Sequence, residues 1–237
     1  MDARLQYAAG RKVDSSRAVE WIKQAWTLFN RGAGIWIAIV LIWAIAVVLV
    51  ELVPLIGQVV NLFTPVILGG VMLACRRLER GEGISLDVLL EGLRSKQQSR
   101  LIILGVVNLA GNAAIDALMG GSVFAVIGGG GMGSNGLPML SLGGILGVLL
   151  AAALVVPLTM VLWFSPALIV FHELQPGEAM KESFDGCLRN VWSLTAYSLL
   201  ALVLLVAGSI PLGLGLLVAL PVLLISIYCS YKDIYEG

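Results

Sequence analysis

The sequence predicts an all-α membrane protein with six transmembrane helices in three hairpins, each hairpin entered through an amphipathic helix on the cytoplasmic side. Three observations predict it. Of 237 residues, 59% are hydrophobic and 13% charged, and mean hydropathy is +0.95, whereas about a quarter of residues are charged in a soluble domain. All fifteen Lys and Arg fall in four segments, with none in the apolar stretches between them. Each of those stretches is long enough to cross a core about 30 Å thick, at about 20 residues per crossing, and to return.

The elements follow in chain order. Residues 1–32 form a polar N-terminal segment holding Arg4, Arg11, Lys12, Arg17, Lys23 and Arg31. The spans are placed at about 33–53, 55–75, 101–121, 142–165, 191–210 and 212–230, within one transmembrane domain covering 1–237. Arg76, Arg77, Arg80, Arg94, Lys96 and Arg100 fill the next polar gap, Lys181 and Arg189 a third, and Lys232 lies near the end. Positive charge beside membrane spans marks the cytoplasmic side, so both termini are expected there, in a bacterial inner membrane. Val53-Pro54-Leu55 and Ser209-Ile210-Pro211 are connections short enough to force antiparallel hairpins. No cleavable leader is evident; the run from Gly34 reads as a signal-anchor.

Each polar segment carries an amphipathic pattern. Val19, Trp21, Ile22, Ala25, Trp26, Leu28 and Phe29 recur at helical spacing, as do Leu86, Val88, Leu89, Leu90 and Leu93, and less regularly Ala179, Met180, Phe184 and Leu188. These helices are expected to lie in the membrane interface. Trp21, Trp26, Arg31, Arg94 and Arg189 are the expected anchors, and Trp36 and Trp192 also suit the headgroup level. The three units resemble one another, each with a basic exit (Arg31, Arg94, Arg189), an outward span and a proline-bearing return. Arg31 to Pro65 is 34 residues, Arg189 to Pro221 is 32, and Arg94 to Pro166 is 72 because of an outer insertion. That spacing reads as a degenerate threefold repeat.

The insertion, a Gly-rich outer loop at about 122–141, contains Gly128-Gly129-Gly130-Gly131-Met132-Gly133-Ser134-Asn135-Gly136. It lacks the Gly-Lys-Ser/Thr ending of a phosphate loop. Asn108, Asn112 and Asp116, four apart on one helix face, are the sharpest polar signal inside a span. With Glu51 and Asn61 they define a candidate polar pocket in the outer half of the bundle, since polar residues in lipid face protein or a wet cavity. Interhelical hydrogen bonding is the plainer use of such asparagines. Pro157 and Pro166 are candidate kinks. His172 is the lone histidine, and Cys75, Cys187 and Cys229 have no disulfide or zinc spacing. No catalytic residue, metal site or cofactor is expected, and cations mixed with as many acids argue against nucleic acid.

Several stretches resemble a family of uncharacterised, predicted integral inner-membrane proteins of proteobacteria. They are Gly70-Val71-Met72-Leu73-Ala74-Cys75-Arg76 with Arg80-Gly81-Glu82, Trp163-Phe164-Ser165-Pro166-Ala167-Leu168, Ser183-Phe184 with Cys187-Leu188-Arg189-Asn190, and Ser230-Tyr231-Lys232-Asp233-Ile234. More distantly, the third amphipathic helix and its span look like the membrane domain attached to some glycerophosphodiester phosphodiesterases, whose catalytic barrel this sequence lacks. The resemblance implies a bacterial inner-membrane protein and transfers no catalytic residues.

The expected function is therefore non-enzymatic: a scaffold or accessory subunit binding membrane lipids, a membrane-protein partner or a second copy of the chain. The rival is a small transporter or channel using the outer pocket. A lipid-acting enzyme ranks third, with only Glu51, Asp116, His172 and Glu173 available to it.

Overall fold

Apolar runs this long leave the backbone no partner but itself, and helices satisfy it. In the computed structural model, which describes residues 10–51, 57–127 and 142–237, helices follow one another with no strand among the described residues. Side chains at 47–51, 57–61, 89, 116–127, 142–148 and 151 lie outside that description. The helices are α1 (Arg17–Asn30), α2 (Ala33–Glu51), α3 (Gly57–Glu79), α4 (Val88–Arg94), α5 (Gln98–Ile127), α6 (Leu142–Trp163), α7 (Ser165–His172), α8 (Pro176–Arg189), α9 (Val191–Ser209) and α10 (Leu216–Tyr235).

Four stretches are long and apolar enough to cross a membrane: Gln98–Ile115, Ala152–His172, Val191–Ser209 and Leu216–Tyr235. A fifth arises if α1 and the start of α2, bent by 100° to each other, count as one broken crossing. The described residues thus provide four to five spans where the sequence predicts six. The shortfall lies at the first hairpin, where α3 carries Gln58, Asn61 and Thr64 and ends on Arg76, Arg77 and Glu79. The predicted boundaries also move. α5 runs on to Ile127, so the first residues assigned to the outer loop are helical, while 128–141 lie outside the described residues. The last span starts at Leu216, after a turn in which Leu212 (φ 53°) and Gly213 (φ 80°) reverse the chain.

The amphipathic helices turn much of their apolar faces to protein, leaving Val19, Trp26, Leu86, Leu90 and Leu188 exposed. α1 packs chiefly on α10, α4 on α3, and α8 on α6 and α7. In α1 the stripe Ala18, Trp21, Ala25, Leu28 and Phe29 is buried in the protein core, leaving Val19 and Trp26 exposed. Trp21 and Trp36, expected at headgroup level, are fully buried; Trp26, stacked on Phe29, and Trp192 remain outside. A periodic apolar face serves a protein neighbour as well as an interface.

Of the two proline candidates, Pro157 sits inside continuous α6, and the break comes at Phe164, just before Pro166. Ser183 of α8 explains the position. Its hydroxyl accepts the Phe164 N–H at 3.0 Å and donates to Met160 O at 2.7 Å, so it stands between a donor and acceptor that an unbroken helix would join directly. Pro166, lacking an N–H, could not continue the ladder in any case. Ser183→Ala is expected to cost about 1–3 kcal/mol, the usual penalty for stranding buried polar groups. Thermal unfolding in detergent checks this, and an unchanged midpoint would refute the inserted hydroxyl.

Candidate functional site

α10 ends with two carboxylates, Asp233 and Glu236, where the helix dipole favours cations. Cations supplied from elsewhere in the chain compensate them. Asp233 Oδ1 accepts Arg11 Nη2 at 2.6 Å; its Oδ2 accepts Arg17 Nε at 2.7 Å and the Trp21 indole N–H at 2.8 Å. Arg11 Nε donates to the Asp233 carbonyl at 2.7 Å. The carboxylate is 5% exposed and its two guanidinium partners 47% and 38%. The hydrogen bond to Asp233 raises the Arg17 guanidinium above its ordinary value, fixing its charge.

Around this cluster the N-terminal segment is strapped across the bundle. Arg11 N–H donates to Ile234 O and Val13 N–H to Asn190 Oδ1, at 2.9 and 2.8 Å. Asn190 Nδ2 returns bonds to Arg11 O and Gly186 O, both 2.9 Å. Ser193 Oγ donates to Val13 O at 2.9 Å and Arg189 Nη1 to Gly10 O at 3.2 Å. A stripe of tyrosines on α10 is tied similarly: Tyr228 to Glu79 (2.8 Å), Tyr231 to His172 Nε2 (2.7 Å) and Tyr235 to Glu182 O (2.7 Å). Arg76 pairs with Glu236 and lies over the Phe171 ring, 3.6 Å from its centroid. Lys232 reaches Glu79 at 2.9 Å.

Beside the cluster opens a cavity of about 780 Å³, walled by α1, the ends of α3 and α10, and Arg11. Its lining includes Arg17, Gln24, Thr27 and Leu28 of α1 with Arg31 just after it, Glu79 and Arg80 at the end of α3, and Cys229, Lys232 and Asp233 of α10 with Glu236 just after it. Arg31 donates to Leu78 O at 2.9 Å. Among the described residues, neither Arg31 nor Arg80 has a carboxylate partner.

The residues expected to form an outer pocket are only partly brought together. Asn112 Nδ2 donates to Asn108 O (2.8 Å) and Asn108 Oδ1 (2.9 Å), so both its amide hydrogens are spent within its own helix. Both asparagines are half-buried. The side chains of Asp116, Glu51 and Asn61 lie outside the described residues. Of the expected anchors, Arg94 stands 4.0 Å from Asp87 in an exposed pair, and Arg31 and Arg189 bond to backbone carbonyls. All three cysteines are buried and free, and burial pushes the Cys187 thiol up to about 12. Among the described residues no three His, Cys, Asp or Glu side chains converge as a metal site.

Sequence reasoning placed Asn190, Tyr231 and Asp233 in the stretches of family resemblance but gave them no structural role. The carboxylates in the last turn of α10 were the available signal, since that position repels negative charge unless it is specifically paired.

A helical bundle with apolar crossings and a polar, basic end agrees with the comparison to known proteins. The chain is 32% identical over 248 residues to a probable inner membrane protein of Burkholderia thailandensis, with 95% of this chain and 92% of the relative covered. The chain belongs to that inner-membrane family. It is a multi-pass inner-membrane protein, as its apolar helices require. No family model and no solved structure matches it. Three of the stretches that carry the sequence resemblance fall on the Phe164 break, the Asn190 clamp and the Asp233 cluster.

Proposed function

We propose that this protein is a non-enzymatic scaffold or accessory subunit of the inner membrane, holding lipid or a membrane partner against its basic end. In this reading six spans form three hairpins, both termini are cytoplasmic, and the units are a degenerate threefold repeat. The packing supports the repeat: α4 lies on α3 and α8 on α6 and α7, each against the return helix of the preceding unit, while α1 lies on α10 and closes the cycle. Pro65, Pro166 and Pro221 of the three returns are all buried. The distant likeness to the membrane domain of glycerophosphodiester phosphodiesterases fits a shared membrane architecture without their chemistry.

One observation carries the functional reading. Asp233 gathers Arg11, Arg17 and Trp21, so the N-terminal segment is fixed across the bundle end rather than left as a loose tail. Lys12, Lys96 and Lys181, one from each of three polar segments, stay exposed and offer cations suited to anionic headgroups or an acidic partner. The rival reading, flux through the outer polar residues, draws no support from an Asn112 amide already satisfied by Asn108.

Native mass spectrometry of protein extracted gently from its own membrane tests the proposal. A defined oligomer, a protein partner or retained lipid is expected, and it should be lost when Lys12, Lys96 and Lys181 are together replaced by Glu. A bare monomer from the unmodified protein would overturn the scaffold reading and direct attention to flux assays on Asp116→Asn.

A further inference from the structure

The cavity at the basic end has an imbalance that its neighbour lacks. Its walls present five cationic and three anionic side chains. Arg11 and Arg17 saturate Asp233, Lys232 engages Glu79, and Arg76 reaches Glu236. Arg31 and Arg80 are left, Arg31 tethered only to a backbone carbonyl and both exposed to solvent. The 460 Å³ cavity beside α4 sets Arg77, Arg94 and Lys96 against Asp87, Glu91 and Glu173, with Arg77 and Glu91 paired at 2.7 Å. Uncompensated positive charge is thus particular to the first cavity and does not follow merely from cations being concentrated at this end.

We propose that this cavity binds a phosphate ester, with Arg31 and Arg80 as its principal ligands. A guanidinium presents parallel N–H donors that match two phosphate oxygens, and it keeps its charge at any physiological pH. Gln24 and Thr27 add side-chain polar groups to the wall, and Leu28 and Cys229 give it an apolar side that a glycerol or acyl portion could cover. The volume of about 780 Å³ falls within the range of small-molecule sites, roughly 300–1,000 Å³. The cavity opens where the apolar run of α10 gives way to Lys232, Asp233 and Glu236. A phosphodiester headgroup arriving through the membrane and a soluble phosphate ester arriving from water share this chemistry. The site stands whether or not the protein is a scaffold.

The test titrates full-length protein while its unfolding temperature is followed. One arm uses glycerol 3-phosphate and inorganic phosphate with the protein in a zwitterionic detergent. The other uses nanodiscs of phosphatidylcholine with increasing phosphatidylglycerol. A saturable upward shift is expected in at least one arm. A shift with soluble phosphate identifies a free anion, and a shift confined to phosphatidylglycerol identifies a lipid headgroup. Arg80→Gln, which removes no partnered group and should fold normally, is expected to weaken the response about tenfold or more, the usual loss for one charge-assisted contact. Arg31→Gln should act in the same direction, while Arg94→Gln in the balanced cavity should leave the titration unchanged. Absence of a saturable shift in both arms, or an Arg80→Gln titration that overlays the unmodified protein, would overturn the site. The scaffold reading is tested separately, because its charge reversals lie outside this cavity.

Discussion

Replacing Asp233 by alanine is expected to lower the apparent stability of the protein by about 3 kcal/mol and to release its N-terminal segment. Removing one partner of a buried charge cluster typically costs about 3–5 kcal/mol, because the remaining charges are stranded. The low end applies here: Arg11 and Arg17 are 47% and 38% exposed, so water recovers part of what they lose. The Trp21 indole has no such recourse. It is fully buried, and its N–H donates to Asp233, so the substitution leaves an orphaned donor in the core. Asp233→Asn keeps an acceptor for Trp21 while removing the charge, and should cost less. Lys23→Ala, which breaks only an exposed pair with Glu20, should produce no measurable change. Thermal unfolding followed by tryptophan fluorescence gives the stability. Limited proteolysis gives the release, since tryptic cleavage after Arg11 and Lys12 should quicken once the backbone held by Ile234 and Asn190 detaches. An unchanged melting curve together with a protected N-terminus would show that Asp233 does not organise this end.

This cluster also shows where sequence reading stops. Membrane character and the gathering of cations are legible because hydropathy and charge are summed over windows of many residues, and errors at single positions cancel. The contacts of Asp233 join residues more than 200 positions apart, and no window contains both partners. What was legible was half of the statement: acids in the last turn of a helix need cations, without saying which. The α1 stripe shows a different limit. Its period picked out Trp21, Ala25, Leu28 and Phe29 but also Val19 and Trp26, which are exposed; lipid and α10 demand the same residue types, so periodicity could not tell an interfacial helix from a packed one. The break between α6 and α7 shows a third. Both Pro157 and Pro166 permitted a kink, and the choice belongs to Ser183 on another helix. Within α5, the four-residue spacing of Asn108 and Asn112 was read as one face, and the hydrogen bonds between them agree.

The second large effect is expected at Gly92, where one added methyl group should separate two helices. α4 crosses α3 with backbone against backbone. A Cβ on Gly92 would overlap the Val66 carbonyl oxygen and lie 2.8 Å from its carbonyl carbon. Across the same contact, a Cβ on Gly70 would overlap the carbonyl oxygen of Val88. Neither neighbour can swing aside as the tip of a flexible side chain could, so the clash must be relieved by moving α4 as a body. Overpacking of this kind costs about 1–3 kcal/mol, occasionally more, and Gly92→Val should exceed Gly92→Ala. α4 carries Glu91, which pairs with Arg77 at 2.7 Å, so displacement also breaks an ion pair on the face of α3. The opposite sign is expected at Gly34. Nothing lies within 4 Å of a Cβ placed there, so Gly34→Ala only reduces the freedom of the unfolded chain and should raise stability by up to about 1 kcal/mol. Helices in lipid gain little hydrophobic energy from one another and associate through close packing of small residues. A stability difference of opposite sign between two glycine-to-alanine changes in one protein would locate that close packing at the α3–α4 crossing. Equal responses at Gly92 and Gly34 would show that the contact is loose enough to accept a side chain.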